Sequence, residues 1–140
     1  MRLISGSAGG IPLEVPKSVT RPTQDRGACE VMKKNIAKTR LEGAGIRQGD
    51  VFKVVSQLAT MKESFDVVFA DPPYAHKPGD VDLSAKLAAE EALHQIVSPG
   101  GSVILESLTT RNNAMFDDRW ERVRERDYGS TRIVWLIRRA

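Results

Sequence analysis

The chain has 140 residues, of which 41% are hydrophobic and 28% are charged, and its formal net charge is +3. This length and composition predict one soluble domain over residues 1–140 and argue against a membrane protein, because no window approaches the length of a spanning helix. Residues 1–6 lack the apolar core of a secretion signal, so we expect a cytoplasmic protein. Cys29, His76 and His94 form no cluster with metal-ligand spacing, and we expect no metal.

Charge is distributed unevenly along the chain. Residues 1–60 have ten Lys and Arg against five Asp and Glu, whereas residues 61–108 have three against eight. Residues 109–140 are basic again, with eight Arg against five acidic residues. Basic segments at both ends suit a phosphate-bearing substrate, although such charges commonly do no more than solvate a surface.

The first predicted elements are a small hairpin and a helix. Residues 3–5 and 11–15 favour strands and predict an N-terminal β-hairpin, after which a loop leads to residue 21. Thr23 is a plausible N-cap for a helix over residues 24–41, which has Ala28, Val31, Met32 and Ile36 at helical spacing. A short strand over residues 46–52, with Asp50 near its end, and a helical stretch to residue 61 follow.

The next predicted elements are those of an α/β sheet. Residues 65–70 are continuously apolar after Asp66, which predicts a strand buried on both faces, as in a parallel sheet, with crossover helices beside it. A helix over residues 83–97 is one such crossover, and residues 98–101 end it. A strand over residues 102–105 and an antiparallel hairpin of residues 120–126 and 131–137 complete the sheet.

The most informative motif is Asp71-Pro72-Pro73-Tyr74, which directly follows the strand over residues 65–70. The strand delivers a carboxylate to its carboxyl end, and the two prolines hold the next backbone rigid with no amide donors. Carbonyl acceptors beside an aromatic ring suit the planar exocyclic amine of a nucleobase, which can be hydrogen-bonded while its ring stacks on Tyr74. A strand that merely stops at Pro-Pro, with Asp as a turn residue, is the simpler alternative.

The order of elements and motifs resembles a known enzyme family. The strand, DPPY, helix, PGG, strand and terminal hairpin are similar to class I S-adenosylmethionine-dependent methyltransferases, with their Rossmann-like α/β sheet. Residues 1–6, residues 13–16 and above all Arg21-Pro22-Thr23 with Asp25-Arg26 resemble the ribosomal RNA small-subunit methyltransferase D family. That resemblance implies methylation of the N2 amine of a guanine in 16S ribosomal RNA.

The resemblance also implies roles for individual residues. Asp71 and the Pro72 carbonyl would hold the guanine amine, Tyr74 would stack on the base, and Pro73 would belong to the same catalytic motif. Asp50, with Val51, would contact the adenine of the cofactor, S-adenosylmethionine, to which Asp71 would also lie close. Asp50 is equally typical of a turn or cap residue.

By the same resemblance, residues 1–26 form an RNA-binding arm and residues 27–140 an incomplete Rossmann-like core. Arg21 and Arg26 would contact RNA phosphate or order the arm, and Thr23 would cap the helix that contains Arg26. A plain helix start explains these three residues equally well. The implied partner is ribosomal RNA or the small ribosomal subunit, with the protein itself a monomer.

The chain departs from the family in one respect. The family has an early strand that ends in a glycine-rich loop, then a helix and a second strand with an acidic residue for the cofactor ribose. Here Arg26 runs directly into a segment that resembles the following helix, as though about forty residues of an ordinary domain were absent. We expect either an unpaired edge on the strand before Asp71 or movement of the Asp50 strand beside it. We also expect S-adenosylmethionine to bind weakly or not at all.

Two other functions remain open from the sequence. A non-catalytic RNA-binding remnant of the same family would use the basic N-terminal arm without chemistry. A DNA adenine N6-methyltransferase shares the DPPY motif, but it ordinarily brings a target-recognition region that 140 residues barely accommodate.

Overall fold

The structure, a computed structural model, describes residues 2–5, 18–23, 26–39, 44–71, 82–109 and 116–140. Within these ranges the strands are β1 Arg2–Ser5, β2 Ser18–Thr23, β3 Ala44–Gln48, β4 Phe65–Ala70, β5 Val97–Leu108, β6 Trp120–Tyr128 and β7 Thr131–Arg138. The helices are α1 Arg26–Thr39, α2 Val51–Thr60, α3 Leu83–Ala89 and α4 Glu91–Ile96. All of these strands join one sheet in the order β3-β2-β1-β4-β5-β7-β6.

The sheet confirms the predicted Rossmann-like α/β class. Strands β2 and β3 are parallel, as are β4 and β5, and a helix connects each of β2 to β3 and β3 to β4, as in doubly wound α/β sheets. The C-terminal hairpin of β6 and β7 is also confirmed, and it pairs antiparallel with β5 through β7. Its two-residue turn contains Gly129, whose φ of 60° is the left-handed conformation that such turns require.

The strand before Asp71 has no unpaired edge, and the strand before Asp50 has not moved beside it, so both alternatives expected from the absence of about forty residues are wrong. Strand β1 lies between β2 and β4 and runs antiparallel to each of them, so that Leu3 is level with Thr20 on one side and Val68 on the other. The N-terminal strands therefore fill the gap between β3 and β4. Because β4 also pairs with β5, its backbone has hydrogen-bonding partners on both sides.

The core lies between the sheet and the helices α2, α3 and α4. Alternate residues of β5 and β7, such as Val103 and Leu136, are fully buried there, as are Val55 of α2 and Leu93 of α4. The remaining members of this cluster are Val54, Leu58, Phe65, Val68, Ala70, Leu87, Ala88, Ile96, Val97, Leu105, Trp120 and Val134. The predicted crossover helices beside β4 are thus confirmed.

The N-terminal hairpin differs from the prediction. Residues 18–23 form a strand rather than a loop, and its partner in the hairpin is β1, while residues 11–15 lie outside the described residues. Pro22 lies beyond the described pairing of β2 with β1, which covers residues 18–20, and it is level with Arg47 of β3. Thr23 is level with Gln48 at the end of β2, and the described part of α1 starts at Arg26. The N-cap role of Thr23 stays a prediction, because residues 24 and 25 lie outside the described residues.

The predicted helix over residues 83–97 is two helices, with a break at the extended residue Glu90. Two side chains from the start of β6 bind the carbonyl groups that the break leaves without helical donors. Trp120 Nε1 donates to the Ala88 carbonyl at 2.9 Å, and Arg119 Nη2 donates to the Ala89 carbonyl at 3.1 Å. These tertiary bonds stabilise the break, which local sequence preference did not indicate.

Strand β5 begins earlier than predicted, at Val97, and includes the Pro99-Gly100-Gly101 segment. Its pairing with β4 is irregular there, since Phe65 is level with Val97 but Val67 is level with Ser102. A Cβ on Gly101 would lie 2.8 Å from the Ser98 carbonyl oxygen and 3.1 Å from that of Asp66. This close backbone approach explains why glycine occupies that position.

Strand β3 ends at Gln48, so the predicted strand over residues 46–52 is too long and Val51 and Phe52 belong to α2. On α1, Val31 has the helical spacing of an apolar face, yet it is 57% exposed. No helix in the part of the chain that the structure describes is long and apolar enough to cross a membrane.

Candidate functional site

Asp71 lies at the carboxyl end of β4, directly after the buried Ala70. Ala70 is level with Leu105 of β5, so Asp71 comes at the level of Glu106 on the neighbouring strand. The Asp71 side chain is exposed, as a group that meets a substrate must be. The other residues of the motif, Pro72, Pro73 and Tyr74, lie outside the described residues, as do His76 and Lys77.

Asp50 caps helix α2. Its Oδ1 atom accepts hydrogen bonds from the backbone N–H groups of Phe52 at 3.0 Å and Lys53 at 3.3 Å. Its extended backbone, with φ of −63° and ψ of 134°, is typical of an N-cap. The cap interpretation of Asp50 is therefore confirmed, and the contact of Asp50 and Val51 with a cofactor stays a prediction.

Asp50 and Asp71 lie at the same edge of the sheet. The strands that precede them, β3 and β4, have the same direction, because β3 is parallel to β2 and the intervening β1 is antiparallel to both β2 and β4. With two strands between them, three interstrand spacings separate β3 from β4, which amounts to about 14 Å. Strand order reverses between β1 and β4, and the crevice at such a switch point is where open α/β sheets bind ligands.

The predicted RNA-binding residues come to this same edge. Arg21 and Thr23 are level with Ile46 and Gln48 near the carboxyl ends of β2 and β3, and Arg26 is the first residue of α1. The backbone therefore brings these three positions to the end of the sheet where Asp50 and Asp71 lie. Their binding to RNA stays a prediction.

Helix α3 anchors the far end of the segment that follows Asp71. Asp82 Oδ1 accepts from the backbone N–H groups of Ser84 at 3.0 Å and Ala85 at 3.1 Å, which makes it the N-cap. The Ser84 hydroxyl donates to the Glu106 carbonyl at 2.7 Å. These bonds fix the start of α3 against β5, beside the level of Asp71. The spacing Asp82-Leu83-Ser84 is the cap signal that our sequence reasoning missed.

A further contact joins the two helices at this edge. The Lys86 ammonium of α3 lies 4.4 Å from the centre of the Phe52 ring in the first turn of α2, a cation–π geometry. The first turn of α2 therefore contacts the last turn of α3.

A group of residues with shifted pKa values lies elsewhere. Burial, followed by the nearby Arg138, lowers the pKa of His94, and hydrogen bonding to Arg119 lowers the pKa of Asp117. This group surrounds Trp120, which is level with Arg138 at the opposite edge of the sheet from Asp71. Its position indicates a structural role. No group of His, Cys, Asp and Glu that could hold a metal ion occurs among the described residues.

The residues present fit S-adenosylmethionine only in part. The carboxylates of Asp50 and Asp71 stand at the appropriate edge, one on each side of the switch point. The strand between them, β1, runs in the opposite direction from β4, so its amino end at Arg2 is level with Phe69 at this edge. A parallel strand in that place would deliver a carboxyl end and the glycine-rich loop whose backbone approaches the cofactor.

Comparisons with known proteins agree with this fold. A family model described as conserved hypothetical protein 95 matches residues 24–137. No curated protein matches the sequence significantly. An Escherichia coli structure, YhhF, which has a provisional methyltransferase assignment, has a TM-score of 0.69 and 19% identity over 86% of this chain and 63% of its own. The chain thus spans less than two thirds of that structure.

Two further structures share the fold. HI0767 from Haemophilus influenzae, provisionally assigned as a methylase, has a TM-score of 0.70 and 21% identity over 89% of this chain and 74% of its own. SMU.776, a provisional methyltransferase complexed with SAH, has a TM-score of 0.65 and 12% identity over 84% of this chain and 38% of its own. At these identities the similarity establishes the fold.

Proposed function

Because the chain belongs to the family of conserved hypothetical protein 95, we propose that it is a methyltransferase whose cofactor is S-adenosylmethionine and whose target is a guanine N2 amine in 16S ribosomal RNA. The observation that carries this proposal is the exposed Asp71 at the carboxyl end of β4, beside the switch point of the sheet. The Pro72-Pro73-Tyr74 sequence that follows, and the Arg21-Pro22-Thr23 segment at the same edge, support RNA as the substrate.

The chemistry asks little of the protein beyond positioning. S-adenosylmethionine, when bound, supplies an electrophilic methyl group on its sulfonium. The Asp71 carboxylate would accept a hydrogen bond from the guanine amine and stabilise the positive charge that develops on nitrogen as the N–C bond forms and the sulfonium–methyl bond breaks. The demethylated thioether would then leave, and the methylated amine would lose one proton to water. Tyr74 stacks on the extruded base and offsets part of the cost of unstacking it, with about 1–3 kcal/mol. No nucleophilic side chain is required.

The direction of β1 has a consequence for affinity. With the amino end of that strand at the switch point, the cofactor loses the backbone contacts of a glycine-rich loop and keeps those near Asp50, Val51 and Asp71. We therefore expect weaker cofactor binding than the micromolar affinity usual for a small substrate or cofactor.

Calorimetric titration of the folded chain with S-adenosylmethionine and with its demethylated product is the first test. Transfer of labelled methyl groups to 16S RNA follows, with the wild-type chain and with Asp71→Ala. We expect Asp71→Ala to abolish transfer while RNA affinity changes little. Asp118→Ala, which removes an exposed carboxylate near the opposite edge of the sheet, is the matched control and should keep wild-type transfer. Transfer that survives in Asp71→Ala would refute the proposed role of that residue.

The same antiparallel β1 favours a second candidate, an RNA-binding protein of this family without methyl transfer. A folded chain that binds 16S RNA but neither cofactor form would support it. Micromolar binding of the cofactor would instead mean that other residues have rebuilt the pocket, and it would count against this second candidate.

A further inference from the structure

A shallow groove of about 260 Å³ lies on the face of β5, β7 and β6, and its lining is part apolar and part basic. It is lined by Ile104, Arg124, Arg126, Tyr128, Ile133 and Trp135, and we refer to it as the Tyr128 groove. The buried residues of the same strands, such as Leu105 and Val134, alternate with these and point to the opposite face, where α2, α3 and α4 pack. The groove is therefore on the side of the sheet away from those helices.

The groove presents aromatic and apolar surface to solvent. Tyr128, at the end of β6, is 66% exposed, and Trp135, in the middle of β7, is 37% exposed. Such exposure is unusual for side chains of this size in paired strands. Trp135 is held in place, because its Nε1 atom donates a hydrogen bond to the Ser102 hydroxyl at 3.0 Å. Two large rings on one fixed sheet surface offer flat faces on which other rings can stack.

A bulge in β6 determines which charges reach the groove. Arg122 is level with Leu136 and Arg124 with Trp135, so Val123 is an extra residue between them. A regular strand would place Arg122 and Arg124 on the same face, whereas the bulge sends them to opposite faces. Arg124 and Arg126 consequently share the groove face with Tyr128.

Two acidic residues of the hairpin, Glu125 and Asp127, are on the other face, where they pair with arginines. Glu125 accepts from Arg122 at 3.2 Å and contacts Arg132 at 3.3 Å, and Asp127 binds Arg132 at 2.8 Å and 3.0 Å. The side chains of Arg124 and Arg126 are exposed and form no ion pair or hydrogen bond with any other described residue. The groove thus combines two unpaired guanidinium groups with two aromatic rings, and Glu106 on β5 and Glu121 on β6 are acidic residues on the same face of the sheet.

We propose that the Tyr128 groove binds single-stranded RNA, with bases stacked on Tyr128 and Trp135 and phosphates bound by Arg124 and Arg126. Sheet surfaces that carry aromatic rings and basic side chains recognise unpaired nucleotides by this combination of stacking and charge. A polyanion with flat apolar rings complements both components of the groove. A purely apolar partner segment would leave the two guanidinium groups without counter-charges.

The groove also lies within reach of Asp71. One row across the sheet joins Phe69 of β4, Ile104 of β5, Trp135 of β7 and Arg124 of β6. Strands β4 and β6 are three interstrand spacings apart, or about 14 Å, and Phe69 precedes Asp71 by two residues. An RNA strand in the groove can therefore extend to the proposed methylation site, and the groove would hold the nucleotides that flank the target base. In that respect alone the inference rests on the proposed function.

The test is fluorescence anisotropy with a labelled single-stranded oligouridylate of about 12 nucleotides, a probe that needs no cofactor and no methyl transfer. We expect the full chain with Arg124→Gln and Arg126→Gln to bind at least about tenfold more weakly, and the salt slope of its binding to fall by about 1.4, or 0.7 for each lost phosphate contact. Tyr128→Leu, which keeps apolar surface but removes the ring, should weaken binding about tenfold.

The matched control is Lys53→Gln with Lys62→Gln, which removes the same charge from the exposed surface of α2 and its following turn. It should change affinity by less than about twofold, because only non-specific attraction is reduced. RNA should also quench the fluorescence of Trp135, and Trp135→Phe should remove that quenching, since the other tryptophan, Trp120, is only 4% exposed.

Three results would overturn the proposal: equal loss of affinity in the groove and control variants, absence of oligouridylate binding by the folded chain, or equal binding of single-stranded and duplex RNA. A fourth would be a self-association that the groove substitutions abolish, because a second copy of the chain would then be the occupant. Each of these leaves cofactor binding at Asp71 to be measured separately, so failure of the groove is distinguishable from failure of the proposed function.

Discussion

Helices α1 and α2 show how differently two neighbouring helices of this fold are used. Helix α2 buries Val54, Val55 and Leu58 in the core, and Asp50 caps it. Helix α1 is longer, with 14 residues against 10, yet none of its described side chains is buried and Val31 is 57% exposed. Both sequences have apolar residues at helical spacing.

The difference lies in what each helix packs against. Helix α2 is enclosed by the sheet and by α4, and its apolar stripe closes the core. Helix α1 lies beside β2 and β3. Apolar periodicity indicates that a face can be buried, but burial itself requires a partner surface.

The difference in burial between α1 and α2 should have its largest effect when the same substitution is made in each helix. Val55→Ala in α2 should lower the free energy of unfolding by about 2 kcal/mol, because it removes two buried methyl groups and leaves a cavity. Val31→Ala in α1 should change it by less than about 0.5 kcal/mol, since the side chain is mostly exposed and Ala favours helix. Urea denaturation measures both values. Equal losses of unfolding free energy would mean that Val31 is buried against another surface in solution.

The starts of the helices offer a second, smaller contrast. Asp50→Ala and Asp82→Ala should each cost about 1 kcal/mol of stability, because each removes an N-cap. Asp50→Ser should restore the stability, since Ser is also a good cap, but its shorter side chain should not restore cofactor affinity. Thermal denaturation and calorimetric titration with S-adenosylmethionine measure the two effects.

Asp82→Ala serves as the control for that experiment. It should lose stability without a matching loss of cofactor affinity, because Asp82 caps α3 and is not among the residues expected to contact the cofactor. If Asp50→Ser binds the cofactor as well as the wild-type chain does, then Asp50 is a cap and nothing more.

The smallest expected effect is the pH dependence of the structural cluster around His94. Its pKa is lowered from 6.5 by burial and by Arg138, so the unfolded chain takes up a proton more readily than the folded chain. The contribution of His94 to stability should therefore be fully present above pH 6.5 and should decline as the pH falls below that value. Denaturation midpoints across this range should show the decline, and His94→Gln should remove it.

Much of the fold could be predicted from local sequence. Strand β4, the hairpin around Gly129 and helix α2 follow from apolar runs, a turn residue and helical spacing, all of which act within a few residues. The position of Asp71 at a strand end followed from the same run. Asp50 was predicted near a strand end and is a helix cap, which was the alternative interpretation of the same residue.

Other features depend on contacts between distant residues. The break at Glu90 is stabilised by Arg119 and Trp120, about thirty residues away in the sequence, and nothing near Glu90 indicates it. The bulge at Val123 determines which arginines of β6 share a face, and only the pairing with β7 reveals it.

The sequence by itself determined which segments form strands and helices in most of the chain, and it indicated a nucleobase-directed chemistry through the residues 71–74. The tertiary structure alone decided that β1 lies between β2 and β4, that Val31 is exposed and that Arg124 and Arg126 stand beside Tyr128. The physical reason is the distance along the sequence over which each effect acts. Propensity, periodicity and capping act along a few residues of chain, whereas strand neighbours, register and burial arise from backbone pairing and packing between segments that are far apart in sequence.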